Sequence, residues 1–133
     1  MGNKAQAAFD YMMIAAFSLA MIIPIFYYAV TYSSDSITTA QAQDAVNTIA
    51  KTADNTYALG EGSLSRIQVN IPSGVQSASV ANNTVLLRVR TTSGTSDIFA
   101  VTRSPISGTL PTKTGSYFII TNNTGPFINV TKA

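Results

Sequence analysis

The stretch Tyr11-Met12-Met13-Ile14-Ala15-Ala16-Phe17-Ser18-Leu19-Ala20-Met21-Ile22-Ile23-Pro24-Ile25-Phe26-Tyr27-Tyr28-Ala29-Val30-Thr31-Tyr32-Ser33-Ser34 holds 24 residues without a charge, between Asp10 and Asp35. About 20 consecutive apolar residues suffice to cross the hydrocarbon core of a bilayer. The stretch therefore predicts a membrane-capable helix, with its apolar part over about 11–32. Pro24 sits within it, removing one backbone donor and predicting a kink or a local loosening.

Downstream the helical pattern continues with a different polarity. Ala42, Val46, Ile49, Ala53 and Tyr57 recur at spacings of three and four, with Gln43, Asp44, Asn47, Lys51 and Asp54 between them. That is one apolar stripe on an otherwise polar helix. Asp35 or Ser36 can cap a fresh start, so a break near Ser33-Ser34-Asp35-Ser36 is open at this point. Gly60 and Gly62 end the pattern. A continuous helix over 6–60 would be roughly 80 Å long, too long for the remaining seventy or so residues to cover.

Past Gly60 the composition changes to short runs rich in Val, Ile, Thr, Phe and Tyr, separated by Gly, Pro and Asn. Six strands are expected, over 65–71, 75–80, 84–90, 98–101, 117–120 and 127–130, with turns at Pro72-Ser73-Gly74, Asn82-Asn83 and Ser93-Gly94. The segment from Ser104 to Gly115, with Pro105, Gly108 and Pro111, is expected to be a long crossing loop between sheet faces. The predicted class is α+β: one long N-terminal helix, apolar in its first half and amphipathic in its second, then a small antiparallel β-sheet or sandwich headpiece over 61–133.

Composition narrows the function. Eight basic and six acidic residues are thinly spread, for a net charge of +2. Ser and Thr number 14 and 17 of 133 residues, so the polar surface is mostly hydroxyl. Phosphate binding needs a clustered basic stripe, and the nearest approach is Arg88 and Arg90 on one strand face; no nucleic-acid role is expected. Without Cys there are no disulfides or thiolate metal sites, and without His the commonest general base and metal ligand is missing. The six carboxylates lie at least seven residues apart in sequence. No enzyme and no cofactor is expected.

The N-terminus is ordered unlike a secretory signal, whose cleavage site follows the apolar stretch. Here Met1-Gly2-Asn3-Lys4 comes first, then a small residue, then Asp10, and only then the apolar run. The residues Lys4-Ala5-Gln6-Ala7-Ala8-Phe9-Asp10-Tyr11 resemble the class III signal peptides of archaeal type IV pilins. The resemblance implies cleavage by a prepilin peptidase between Ala5 and Gln6, removing a leader over 1–5 and leaving the apolar helix in place. It places Asp10 at the fifth mature position, followed by an aromatic. The chain departs from the family in having Ala5 where Gly is more usual, and Asp10 where Glu is more usual. The resemblance also implies a lollipop-shaped subunit that polymerises through its helix.

An acid within an apolar segment needs a partner. Under the resemblance, the α-amino group freed at Gln6 would be that partner for Asp10, fixing the register between subunits; alternatively Asp10 simply marks a membrane boundary. Pro24 is either a tolerated membrane-helix proline or a flexible point. Met12, Met13 and Met21 read as packing residues, and Tyr27 and Tyr28 as interfacial aromatics or bundle contacts. N-glycosylation sequons stand at Asn82, Asn122 and Asn129, although chance alone supplies about two in such a sequence.

The expected function is that of a structural subunit of an extracellular filament, with surface adhesion as its use. Its expected partners are copies of itself, a prepilin peptidase, an assembly ATPase and a membrane platform protein. Its location is the cytoplasmic membrane before assembly and the cell surface after. The alternatives are a membrane-anchored surface β-domain and an archaellin-type motility subunit.

Overall fold

A computed structural model describes residues 2–133. One helix, α1 (Gly2–Ala58), precedes seven strands: β1 (Leu64–Ile71), β2 (Val75–Ala81), β3 (Thr84–Thr91), β4 (Gly94–Val101), β5 (Ile106–Gly108), β6 (Gly115–Asn123) and β7 (Ile128–Lys132). The chain forms two compact units, one ending at Ser34 and the other spanning Asp35–Ala133. The α+β class is as expected.

α1 runs through both Pro24 and the serines at 33–36 without interruption. The reason for the second continuity lies in the side chains. Ser34 Oγ donates back to Val30 O at 3.0 Å, satisfying its hydroxyl within the helix instead of capping a new one. Asp35 Oδ2 accepts from the Thr92 amide at 2.9 Å, so that expected cap is engaged with the β3–β4 turn.

Within the Asp35–Ala133 unit, Ala42, Ala45, Val46, Ile49, Ala50, Ala53 and Thr56 are the buried residues of α1. Tyr57, expected on this stripe, is exposed, and Thr56 takes its place. Spacing alone does not choose between neighbours at the helix end. The backbone then closes on itself: Gly60, at φ 97°, donates its amide to Tyr57 O, and Ser63 Oγ donates to Thr56 O at 2.7 Å. Asn123 Nδ2 also faces the carbonyls of Thr56 and Tyr57. These bonds satisfy helix-end carbonyls that would otherwise be orphaned.

The strands make a single open sheet in the order β1-β6-β7-β5-β2-β3-β4, so the sandwich alternative does not hold. Every pairing is antiparallel except β5 with β7. The expected crossing loop carries β5, a strand too short for alternation to reveal. Its three residues lie beside Ile128, Asn129 and Val130, with Ile106 and Leu110 buried. Gly108 is required here because a Cβ would stand 1.9 Å from Val130 O. The β2–β3 hairpin turns through Asn82 and Asn83, at φ 51° and 60°, the two left-handed residues that a tight two-residue turn demands.

Alternation along the strands points Val69, Ile71, Val80, Val85, Leu87, Val89, Ile98, Ile119, Ile128 and Val130 into one core with the α1 stripe. The opposite sheet face carries Ser77, Ser79, Arg88, Arg90 and Ser116, in keeping with a hydroxyl-rich surface. Thr56 and Thr121, both fully buried, share a hydrogen bond of 2.9 Å between their hydroxyls, which fixes α1 against β6.

Candidate assembly surface

The first unit consists of one helix whose apolar residues meet no other part of the unit. Phe9, Met12, Ile14, Phe17, Leu19, Ile22, Phe26 and Val30 are each at least half exposed. Its uncharged 24 residues are about 36 Å long at the α-helical rise, against a hydrocarbon core of about 30 Å. The helix is long and apolar enough to cross a membrane, which makes membrane insertion compatible with the structure.

The hydroxyls of Ser18, Thr31 and Ser34 are satisfied by the helix itself. Ser18 Oγ donates to Ile14 O at 2.8 Å and Thr31 Oγ1 to Tyr27 O at 2.9 Å. Such back-bonding lets hydroxyls enter an apolar surrounding without an unpaired donor. The phenols cluster near one end: Tyr28 and Tyr32 stack at 6.4 Å between centroids. An apolar shaft with a tyrosine-rich end suits either a bilayer boundary or the rim of a helix bundle.

The expected site residues lie along this helix. Ala5 and Gln6 are consecutive exposed helical positions, Asp10 is exposed one turn beyond Gln6, and Pro24 lies in the middle of the shaft. Positions 6 and 10 share a helix face at i, i+4. The sequon asparagines are in the other unit. Asn82 is exposed at the apex of the β2–β3 hairpin, whereas Asn122 and Asn129 are half-buried and directly opposite one another on β6 and β7. Directly opposed residues have Cβ atoms about 5 Å apart, so a sugar on one would crowd the other.

Several residues that hold the second unit together are not legible as such. Asp54 Oδ1 accepts from the Arg103 amide at 2.9 Å, the Ser104 amide at 3.2 Å and Ser104 Oγ at 3.1 Å, pinning the β4–β5 connection to α1. In the sequence Asp54 is one polar residue among several on a polar helix face. Asn123 stands out in the sequence only as part of a sequon, yet it is buried, and its Oδ1 accepts from the Gly125 amide at 2.9 Å. Arg88 and Asp97 form a bidentate pair across β3 and β4, at 2.6 and 2.8 Å. Their mutual hydrogen bonding lowers the Asp97 pKa and raises that of Arg88.

Among the described residues no three His, Cys, Asp or Glu side chains gather as metal ligands would. A shallow recess beside the α1 C-terminus is lined by Lys51, Asp54, Asn55, Tyr57 and Arg103. Asp54 is already committed there to the loop amides.

The fold and the exposed shaft define an α+β protein with a long, apolar N-terminal helix and a seven-stranded, mostly antiparallel sheet. No protein family, no curated protein and no solved structure matches the chain.

Proposed function

We propose that this chain is the structural subunit of a type IV pilus-like extracellular filament, polymerising through the apolar half of α1. The observation that carries the proposal is the exposed, charge-free segment between Asp10 and Asp35 in a chain whose other unit has a core of its own. Burying such a surface is favourable at about 25 cal/mol per Å² of apolar area. A bilayer does so before assembly, and the equivalent helices of neighbouring copies do so afterwards.

In this scheme a prepilin peptidase cuts between Ala5 and Gln6. The new ammonium on Gln6 and the Asp10 carboxylate then lie one helical turn apart on the same face. Within a helix bundle an isolated carboxylate would be costly. Pairing with the ammonium of its own or a neighbouring chain offsets that cost at one axial position only, and so sets the stagger between subunits. An assembly ATPase and a membrane platform protein drive polymerisation. The β unit faces the surroundings, and adhesion is its use.

The test is the N-terminus of material sheared from the cell surface, read by mass spectrometry. Fibres composed of chains beginning at Gln6 are the expected result. Full-length chains recovered only from detergent-extracted membrane would replace the proposal with a membrane-anchored β-domain. Mature chains in sheared fibres that rotate would assign them to an archaellum.

A further inference from the structure

The sheet has two free edges, and they match each other. β1 and β4 lie at opposite ends of the strand order, and each is eight residues long. Each pairs with its inner neighbour over eight consecutive positions, with no bulge. Neither contains Pro or Lys. Edge strands are commonly blunted by Lys, Pro, bulges or very short length, because their unpaired amides and carbonyls template another strand. Here none of those devices is present, and the lone carboxylate of β4, Asp97, is already paired with Arg88.

The residues along the two edges are complementary in one register. On the outer face β1 presents Leu64, Arg66 and Gln68, and β4 presents Thr95, Asp97 and Phe99, all exposed. The pairings run β1, β6, β7, β5, β2, β3, β4 with one parallel step, which leaves β1 and β4 pointing in opposite directions. The β4 edge of one copy can therefore receive the β1 edge of the next as an ordinary antiparallel neighbour. Setting Arg66 opposite Asp97 places Leu64, 61% exposed, opposite Phe99, 56% exposed, and Gln68 opposite Thr95.

Shifting by two residues either way sets Arg66 against Phe99 or against Thr95. Shifting by one turns each outward side chain to the wrong face. In the favoured register Asp97 lies between Arg88 of its own chain and Arg66 of the neighbour, and a carboxylate has lone pairs for both. Within its own chain the Arg66 guanidinium lies over the Phe118 ring, 4.2 Å from the centroid. That contact is with the ring face and forms no ion pair.

We propose that the β units of neighbouring copies join edge to edge, β4 of one against β1 of the next, in the register that pairs Arg66 with Asp97 and Leu64 with Phe99. The contact is heterologous, so it repeats from copy to copy into a ring or an open array and not a two-fold dimer. It goes beyond helix-mediated polymerisation and is carried by a different unit of the chain.

Because the chain has no Cys, engineered thiols report on this contact cleanly. The full-length protein in mild detergent, with Leu64→Cys and Phe99→Cys together, is expected to give a ladder of disulfide-linked dimers, trimers and higher species on gentle oxidation. Each single variant is expected to stay monomeric on a non-reducing gel. Leu64→Cys with Thr95→Cys is the control for register and is expected to give at least 5-fold less ladder.

Adding Arg66→Glu to the ladder-forming pair sets two acids opposite each other and is expected to reduce crosslinking at least 5-fold. Circular dichroism checks that each variant is folded. Disulfide-linked dimers from either single variant, equal ladders in the two registers, indifference to Arg66→Glu, or no ladder from a folded double variant would each overturn the proposal. None of these outcomes depends on leader cleavage or on fibres at the cell surface, so the filament proposal stands or falls separately.

Discussion

Asp54 receives three hydrogen-bond donors on one carboxylate oxygen, two of them backbone amides that have no strand partner. Removing an acceptor of this kind leaves donors to find water at the base of a loop, and hydrogen bonds to charged groups are worth about 1.5–3 kcal/mol each at best. With partial solvent access, Asp54→Ala is expected to cost about 1–2 kcal/mol, or a fall in Tm of roughly 5–15 °C for a unit of this size. Asp54→Asn keeps an acceptor in place and should lose less than half as much. Thermal unfolding followed by circular dichroism checks both. Equal losses from the two would mean that the charge, and not the acceptor, is what matters.

Arg88 and Asp97 are exposed, and their effect is expected to appear mainly with pH. Because Asp97 titrates below its ordinary value in the folded state, the stability it contributes is present above the carboxylate pKa of the unfolded chain. It is lost as the pH falls through the lower folded value. Asp97→Asn should therefore melt somewhat below the parent chain at pH 7, with the gap closing as the pH falls below about 4, so that the variant shows the flatter decline. Added salt should shrink the gap between the curves. Parallel curves down to about pH 2 would show that the pair does nothing measurable.

At the scale of elements, legibility follows length and repetition. The apolar shaft is plain because 24 residues without a charge match the span of a bilayer and leave the helix no charged face. β1 to β3 are plain because turn residues punctuate alternating runs, whereas β4 begins at Gly94, four residues before the expected 98–101. β5 is hidden because three residues carry no period, and its parallel pairing with β7 is decided by contacts far away in sequence. The serines at 33–36 look like a helix start, yet the Ser34 hydroxyl bonds backwards. A serine's role depends on whether its oxygen meets an amide ahead or a carbonyl behind, and sequence does not distinguish these.

The apolar shaft is thus legible as hydrophobicity, whereas Asp54 and Asn123 are not, since each acts through backbone groups of a distant loop. Gly108 belongs with β5: a methyl group there would collide with Val130 O. Gly108→Ala must therefore push β5 off β7, and overpacking of this kind costs about 1–3 kcal/mol. The check is a lowered urea midpoint, with amides of 106–109 and 128–130 exchanging faster than those of β1 and β6. Unchanged exchange at 106–109 would mean the β5 pairing is dispensable.

At the scale of the molecule, the division of the chain at Ser34 separates two kinds of stability. The core residues all lie beyond Asp35, from Ala42 to Val130. None of the described residues before it is buried. A chain spanning 33–133, which frees the Ser34 hydroxyl from Val30 to cap the shortened helix and keeps Asp35 as the acceptor for Thr92, should therefore fold by itself. It is expected to melt cooperatively, with the circular dichroism of mixed helix and sheet, and to remain in the supernatant with lipid vesicles that retain the full-length chain. Association through the β1 and β4 edges would raise its size without restoring vesicle binding. Failure to fold would mean that the apolar shaft contributes to the fold itself, and vesicle binding by the shortened chain would move the membrane-seeking surface to the sheet.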